Sequence, residues 1–327
     1  MTAPAPTTAQ LTPSSDKTPV EVSVDEFQIT DIPGAMRKMG WVEAARLMQR
    51  WFDGEPFEMT VDEKEGKLDV KKITQEKLFD DLDFDWLTRS SPDTGKEIKE
   101  LLEKAAYASQ YNELIGRARK LDQLAPGLLQ FMSRLRDLGI LDRENKDLKK
   151  GEYDFSSMSA RELEVTTQYN FRPIGTDKWE RITNPLDDVY GTLGGFLVKF
   201  AVTKFTVTSK TKRMPATVHI EEIGCYIRDT YEFLNDSSKD QPLGYWSFES
   251  GIKGFGALGR ETYESDGQLY HKVTNGSFNR YRVEHGKGGD LFVYSTVKKL
   301  PTSISFRFME ADFGEFAARS KAPKVTP

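Results

Sequence analysis

The spacing of apolar side chains changes once along this chain, near Gly151, and that change constrains the fold more than any other feature. Before it, apolar residues recur at helical intervals. Trp41, Ala44, Ala45, Met48, Trp51 and Phe52 form one i, i+3, i+4 stripe, opened by Asp31 or Pro33 and closed by Gly54 and Pro56. A second helix is predicted from residue 93 to about 121, with Ile98, Leu101, Leu102 and Ala105 as its apolar face. A third starts at Pro126, carries Leu128, Leu129, Met132, Leu135 and Leu138, and stops at Gly139. The stretch ITQEKLFDDLDFDWLTRS between the first two reads as a short helix plus a loop.

After Gly151 the period becomes two. Strands are expected at residues 161–171, 196–207, 216–228 (with a bulge at Gly224), 243–249, 291–298 and 303–309. One helix interrupts them at residues 278–285, capped by Asn275 or Ser277 and ended by Gly286. The pattern predicts an α+β fold. A helical N-terminal region, 25–150, precedes a mostly antiparallel β-sandwich or barrel-like domain, 151–316. Residues 1–24, rich in Pro, Thr, Ser and Ala, read as a disordered tail, and 317–327 as a flexible one.

Composition excludes several classes. No apolar run in the 327 residues approaches the roughly 18 needed to span a bilayer as a helix. A single cysteine, Cys225, excludes an intrachain disulfide framework and reads as a buried structural thiol. Three histidines and one cysteine leave little for a zinc or iron–sulfur site, so no metal or cofactor is called for. The net charge of −5 lies in residues 1–150, which carry 23 basic and 28 acidic side chains, while the remainder balances. Sequence-specific nucleic-acid binding is therefore not expected. Two basic stretches, 199–213 and 272–299, read as solvated sheet faces. The N-terminus has no basic region followed by an apolar one, so the expectation is a cytoplasmic product, exported if at all without a cleaved signal.

Motifs are sparse. Gly254, Gly256 and Gly259 match the G-x-G-x-x-G string, but no buried crossover helix follows, and a loop is the better reading. The acidic run Asp80, Asp81, Asp83, Asp85 lacks the glycine and terminal glutamate of a calcium loop. The densest polar cluster is NGSFNRYRVEHGKGGDLFVYS. Here His285 can serve as a general base, since its ordinary pKa lies near neutrality. Arg280 and Arg282 can hold a phosphate or carboxylate. The Gly286, Gly288 and Gly289 amides can face an anion, with Asn279, Tyr281 and Asp290 completing a ligand-binding set. The competing reading is structural, because a short helix between strands needs caps and glycines for backbone reasons alone. His219 reads as structural; His271 is undecided between the two roles. Trp41, Met48 and Trp51, crowded with Met36 and Met39, read either as a partner-binding face or as core.

Three stretches, DIPGAMRKMGWVEAARLMQRWF, HIEEIGCYIRDTYEF with GYWSFE, and SFNRYRVEHGKGGDLFVYSTVKKL, resemble the DUF6402 family, a proteobacterial family of unknown function associated with genes near type VI secretion clusters. The resemblance transfers no active site. It implies an effector, an adaptor or an accessory protein whose partner is a secretion-apparatus carrier or a neighbouring immunity or adaptor protein. The leading expectation is an effector or cargo with a β-rich ligand-binding domain. The alternatives are a hydrolytic toxin using His285 with Arg280 or Arg282, and a non-enzymatic adaptor or chaperone module.

Overall fold

The computed structural model describes residues 27–90, 92–106, 117–118, 123–124, 126–142, 144, 147–175, 186–208, 211, 216–235, 240–254, 260–308 and 310–319. The expected N-terminal tail lies outside the described residues, as does the C-terminal one from residue 320 and the glycine string at 255–259.

Helices Ile32–Lys38 (α1), Val42–Asp53 (α2) and Val61–Lys64 (α3) precede a strand, Leu78–Leu82 (β1). Then come helices Trp86–Ser90 (α4) and Pro92–Ala106 (α5), the strand pair Arg117–Ala118 (β2) and Gln123–Leu124 (β3), helix Pro126–Asp137 (α6), and the pair Leu141–Asp142 (β4) and Asp147–Leu148 (β5). Gly139 follows α6 with a positive φ of 67°, as expected for its stop. From Gly151 strands predominate: Gly151–Asp154 (β6), then helix Ala160–Thr166 (α7), Gln168–Ile174 (β7), helix Asp188–Thr192 (α8), Phe196–Thr208 (β8) and Thr217–Tyr231 (β9). The chain continues through Pro242–Ser247 (β10), Gly251–Lys253 (β11), Thr262–Ser265 (β12) and Gln268–Thr274 (β13). It closes with helix Asn275–His285 (α9), Leu291–Ser295 (β14), Lys298–Arg307 (β15) and helix Glu310–Arg319 (α10).

The fold is α+β around a curled, mostly antiparallel sheet. The long hairpin β8–β9 is its centre. Each flank is built from two strands laid end to end: β14 and β15 along β9, β6 and β7 along β8. Strand β1 joins the outer edge of β14 in parallel, the one parallel ladder of this sheet among the described residues. Strands β11, β10, β13 and β12 form a second, antiparallel sheet.

Three expectations need correction. The stretch read as helix plus loop before Asp93 contains β1, because Leu78, Phe79 and Leu82 are buried against the sheet of the second half. The predicted strand 161–171 begins instead as α7. Ser159 accepts from the Glu162 N–H while the Glu162 carboxylate accepts from the Ser159 N–H, and this reciprocal cap sets a helix before strand pairing starts. The β8–β9 register passes Gly224 in step, opposite Ala201, and shifts only beyond the next pair, between Val202↔Ile223 and Phe205↔Ile220. Gly224 serves close packing: a Cβ there would sit 2.8 Å from Val297 and 2.9 Å from Thr203.

Helices cover one face of the main sheet. Val198, Phe200, Val202 and Phe205 of β8 and Val218, Ile220, Cys225 and Ile227 of β9 pack with Ile98 of α5, Phe131, Met132 and Leu135 of α6, and Phe313 and Phe316 of α10. On the opposite face Ala201, Tyr226, Phe292 and Tyr294 meet Leu163 of α7, with Met59 and Ile73. A third cluster joins α1 and α2 to the second sheet and α9 through Met36, Trp41, Met48, Trp51, Trp246 and Phe278. Residues from both sides of Gly151 thus share the same cores. Among the described residues no helix is long and apolar enough to cross a membrane.

Candidate functional site

The polar segment singled out in the sequence folds as α9 and the turn into β14. Thr274 caps the helix through its hydroxyl, one residue before the expected Asn275, and Gly286 ends it in the left-handed conformation. The groups expected to face a ligand are turned inward instead. Buried Arg282 donates to the Gly288 carbonyl at 2.9 Å, to the Asn279 amide oxygen at 3.2 Å and to Asp290. Asp290, fully enclosed, also accepts from the Trp51 indole and from the Met59 N–H, each at 2.9 Å. The Gly286 N–H goes to the Arg282 carbonyl, that of Gly288 to Gly54, and that of Gly289 to Trp51, so none of these amides is left for an anion. Asn279 donates to the Phe233 carbonyl at 3.0 Å.

This arrangement ties α2 to β14. Gly288 has φ +103°, and a Cβ there would lie 2.5 Å from the Trp51 ring, so only glycine lets the turn close over the indole. Burial pushes the Asp290 carboxyl up to about 6, against the pull of Arg282, the Met59 N–H and the Trp51 indole.

The remaining predicted residues are dispersed. His285 is exposed; its ring packs 4.5 Å from Tyr281, and among the described residues nothing hydrogen-bonds its nitrogens. Arg280 is exposed and donates to the Ser277 hydroxyl at 3.3 Å. Tyr281 packs edge-on against Phe52. The structure therefore brings no catalytic partner to His285. Trp41, Met48 and Trp51 are core, which removes them as an exposed docking face. His219 hydrogen-bonds Ser305 across the β9–β15 ladder, and His271 stacks on Phe27. Cys225 is buried, which pushes its thiol up. The acidic run is spent on surface pairs, Asp81 with Arg46, Asp83 with Arg89 and Asp85 with Lys298. Among the described residues no group of three or more His, Cys, Asp or Glu is placed to hold a metal.

A cleft of about 520 Å³ opens where α1 and α2, the loop after α8, the end of β9 and the second sheet meet. Its apolar walls are Met36, Trp41, Met48, Phe233, Trp246 and Phe278, and Tyr190, Thr192, Thr230 and Gln241 add polar groups to the lining. One end is polar, with Lys64, Asp229 and Glu232. Lys64 and Glu232 form an ion pair at 2.8 Å. Asp229 makes no ion pair among the described residues. Burial holds its carboxyl well above the usual range, with the Thr230 N–H, Arg228 and Lys64 pulling the other way. Volume, an aromatic wall and a few convergent polar groups are general attributes of a small-molecule site.

Sequence reasoning missed this cleft. The available signal was the pair Arg228–Asp229 directly after the apolar run Ile223–Ile227 of a central strand, since charges there require local partners or a local purpose. Comparison with curated proteins and with solved structures gave no match. A family model does match residues 27–309, from the first described residue through the last strand. With most of its length covered, including the sheets, α9 and the cleft, the chain belongs to the family of unknown function DUF6402.

Proposed function

We propose that this protein is a ligand-binding module, and that its cleft takes a mid-sized, mainly apolar molecule carrying a cationic or hydrogen-donating end. The observation that supports this reading is the meeting of an aromatic wall with Asp229, a carboxylate without an ion-pair partner among the described residues. A cation beside the raised Asp229 carboxyl favours its ionised form, and a charge-assisted hydrogen bond contributes about 1.5–3 kcal/mol, part of which goes to that ionisation, so a cationic ligand would gain roughly tenfold over a neutral isostere. Trp41 and Trp246 line the cleft and report occupancy by fluorescence. A phenylalkyl ammonium compound is expected to quench them at lower concentration than its neutral isostere, and Asp229→Asn to erase that difference. Failure of both compounds to bind, or equal binding by both, overturns the reading.

In its cellular setting the module acts as cargo or effector of a type VI secretion system, made in the cytoplasm and exported without a cleaved signal. Support comes from the resemblance of the three sequence stretches described above. Its partner is then a secretion-apparatus carrier or a neighbouring immunity or adaptor protein. Recovery of the protein in culture supernatant only when the secretion apparatus is intact is the expected result; equal release from an apparatus-deficient strain rejects it. Against the hydrolytic alternative stands the exposed ring of His285, which packs on Tyr281 and has no hydrogen-bond partner among the described residues. A binding module predicts that His285→Ala leaves any growth inhibition in a recipient cell unchanged.

A further inference from the structure

The chain leaves β9 at Tyr231 and carries Phe233 into the wall of the cleft. Residues 232–235 pair with no strand among the described residues. Phe233 is nevertheless buried, and its ring lies flat on Phe278 at 3.7 Å and 1°. An irregular segment at such a place needs partners for its backbone groups from elsewhere. Helix α9 supplies them. The Asn275 side-chain amide donates to the Leu234 carbonyl at 2.7 Å, and the Asn279 amide, one turn on, donates to the Phe233 carbonyl at 3.0 Å. The Leu234 N–H donates to the Glu232 carboxylate at 2.6 Å, and Glu232 pairs with Lys64 at the polar end of the cleft.

Two routes run from Asp290 to this wall. The first is a relay of side-chain hydrogen bonds. Asp290 holds one arm of the Arg282 guanidinium, and another arm donates to Asn279 Oδ1 at 3.2 Å. With its oxygen taken by a pure donor, the Asn279 amide must turn its NH2 end to the Phe233 carbonyl. The second route is ring packing. Trp51 donates its indole N–H to Asp290 at 2.9 Å, and its ring stands edge-on to Phe233 at 5.1 Å and to Phe278 at 5.2 Å. Asp290, Arg282, Asn279 and Trp51 line no part of the cleft. They reach it only through the two phenylalanines of its wall.

We infer that Asn279 is a positioning residue of the ligand cleft: it anchors the Phe233 backbone from behind, so that the aromatic wall stands formed before a ligand arrives. This rests on the cleft being the ligand site. Apparent affinity falls in proportion to the fraction of molecules in which the binding surface is formed. A residue that holds the wall in place therefore raises affinity without touching the ligand, by removing an ordering cost from the binding step. Asp229 plays no part in the relay, so Asn279 acts on the apolar share of binding and leaves the preference for a cation to Asp229.

Calorimetric titration of the full chain with the phenylalkyl ammonium compound and its neutral isostere tests this. Asn279→Ala is expected to weaken both by the same factor, roughly threefold to tenfold, and to leave the ratio between them unchanged. A merely structural role would lower the melting temperature and leave both affinities alone. Ser159→Ala, which loosens a helix that lines no part of the cleft, should change neither affinity. Asn279→Asp keeps an acceptor for Arg282 but sets an acceptor against the Phe233 carbonyl; it should weaken binding too, and provides the reading should the alanine variant not fold. A second measurement needs no ligand. Nuclear Overhauser contacts between the Phe233 and Phe278 rings should be present in the parent chain and in Ser159→Ala, and lost in Asn279→Ala. Parental affinities in both Asn279 variants, or persistence of those ring contacts, overturns the positioning role. If the parent chain binds neither compound, the proposed ligand class falls, and the ring contacts alone decide Asn279.

Discussion

Asp290 receives donors from three separate parts of the chain, the α2 indole, the Met59 backbone and the α9 guanidinium. Removing its carboxylate leaves Arg282 as a buried, uncompensated cation. Asp290→Ala should therefore cost about 3–5 kcal/mol in a denaturant melt. Replacing both partners, Arg282→Met with Asp290→Leu, should recover most of that loss, because desolvation of the pair is removed along with its attraction. The pH dependence has a definite sign. The folded carboxyl sits at about 6, above its ordinary value near 3.8, so the folded state binds more protons between those limits. The stability contributed by this group rises as pH falls from about 6 towards 4, by about 3 kcal/mol in total, and Asp290→Asn should flatten that part of the melting-temperature profile. Gly288→Ala forces a methyl into the Trp51 ring at a positive φ and should cost at least about 2 kcal/mol by the same melt.

Elements in this protein are often set by partners distant in sequence. Helix α2 has no side-chain cap of its own at Trp41. Its first free N–H groups, those of Glu43 and Ala44, donate instead to Asp188 of α8 at 3.2 and 2.8 Å, and the Trp86 indole donates to the same carboxylate. Asp188→Ala should cost about 2–3 kcal/mol, since it orphans two buried donors and removes a charge that favours the helix N-terminus. Ser159→Ala, which deletes a cap of ordinary local type at α7, should cost only about 1 kcal/mol. The same contrast separates what was readable from what was not. Ser159 and Glu162 stand three residues apart and carry a recognisable cap, yet the alternating reading of 161–171 overrode it. Asp188, beside Asp187, carries nothing in its neighbourhood to reveal a helix more than a hundred residues earlier.

At the scale of the whole molecule, Gly151 marks a change in local period and not a break in packing. The face of the main sheet is covered by α5 and α6 from the first half and by α10 from the end, and β1 extends the sheet from before the change. A chain beginning at Gly151 would expose the β8 and β9 face that Ile98, Phe131 and Leu135 now cover. It should lack a cooperative thermal transition and bind hydrophobic dye, whereas independent folding with a sharp transition would contradict a shared core. The alternation in β8 and β9, the stop at Gly139 and the end of α9 at Gly286 were determined by sequence alone, because period and glycine conformational freedom are local properties. The placement of β1 beside β14, the burial of Arg282 against Trp51 and Asp290, and the cleft at Asp229 were decided only by tertiary structure. Each depends on which distant segments become neighbours, as Leu78 with Phe292 and Trp51 with Asp290, and such pairing leaves no trace in the spacing of either segment.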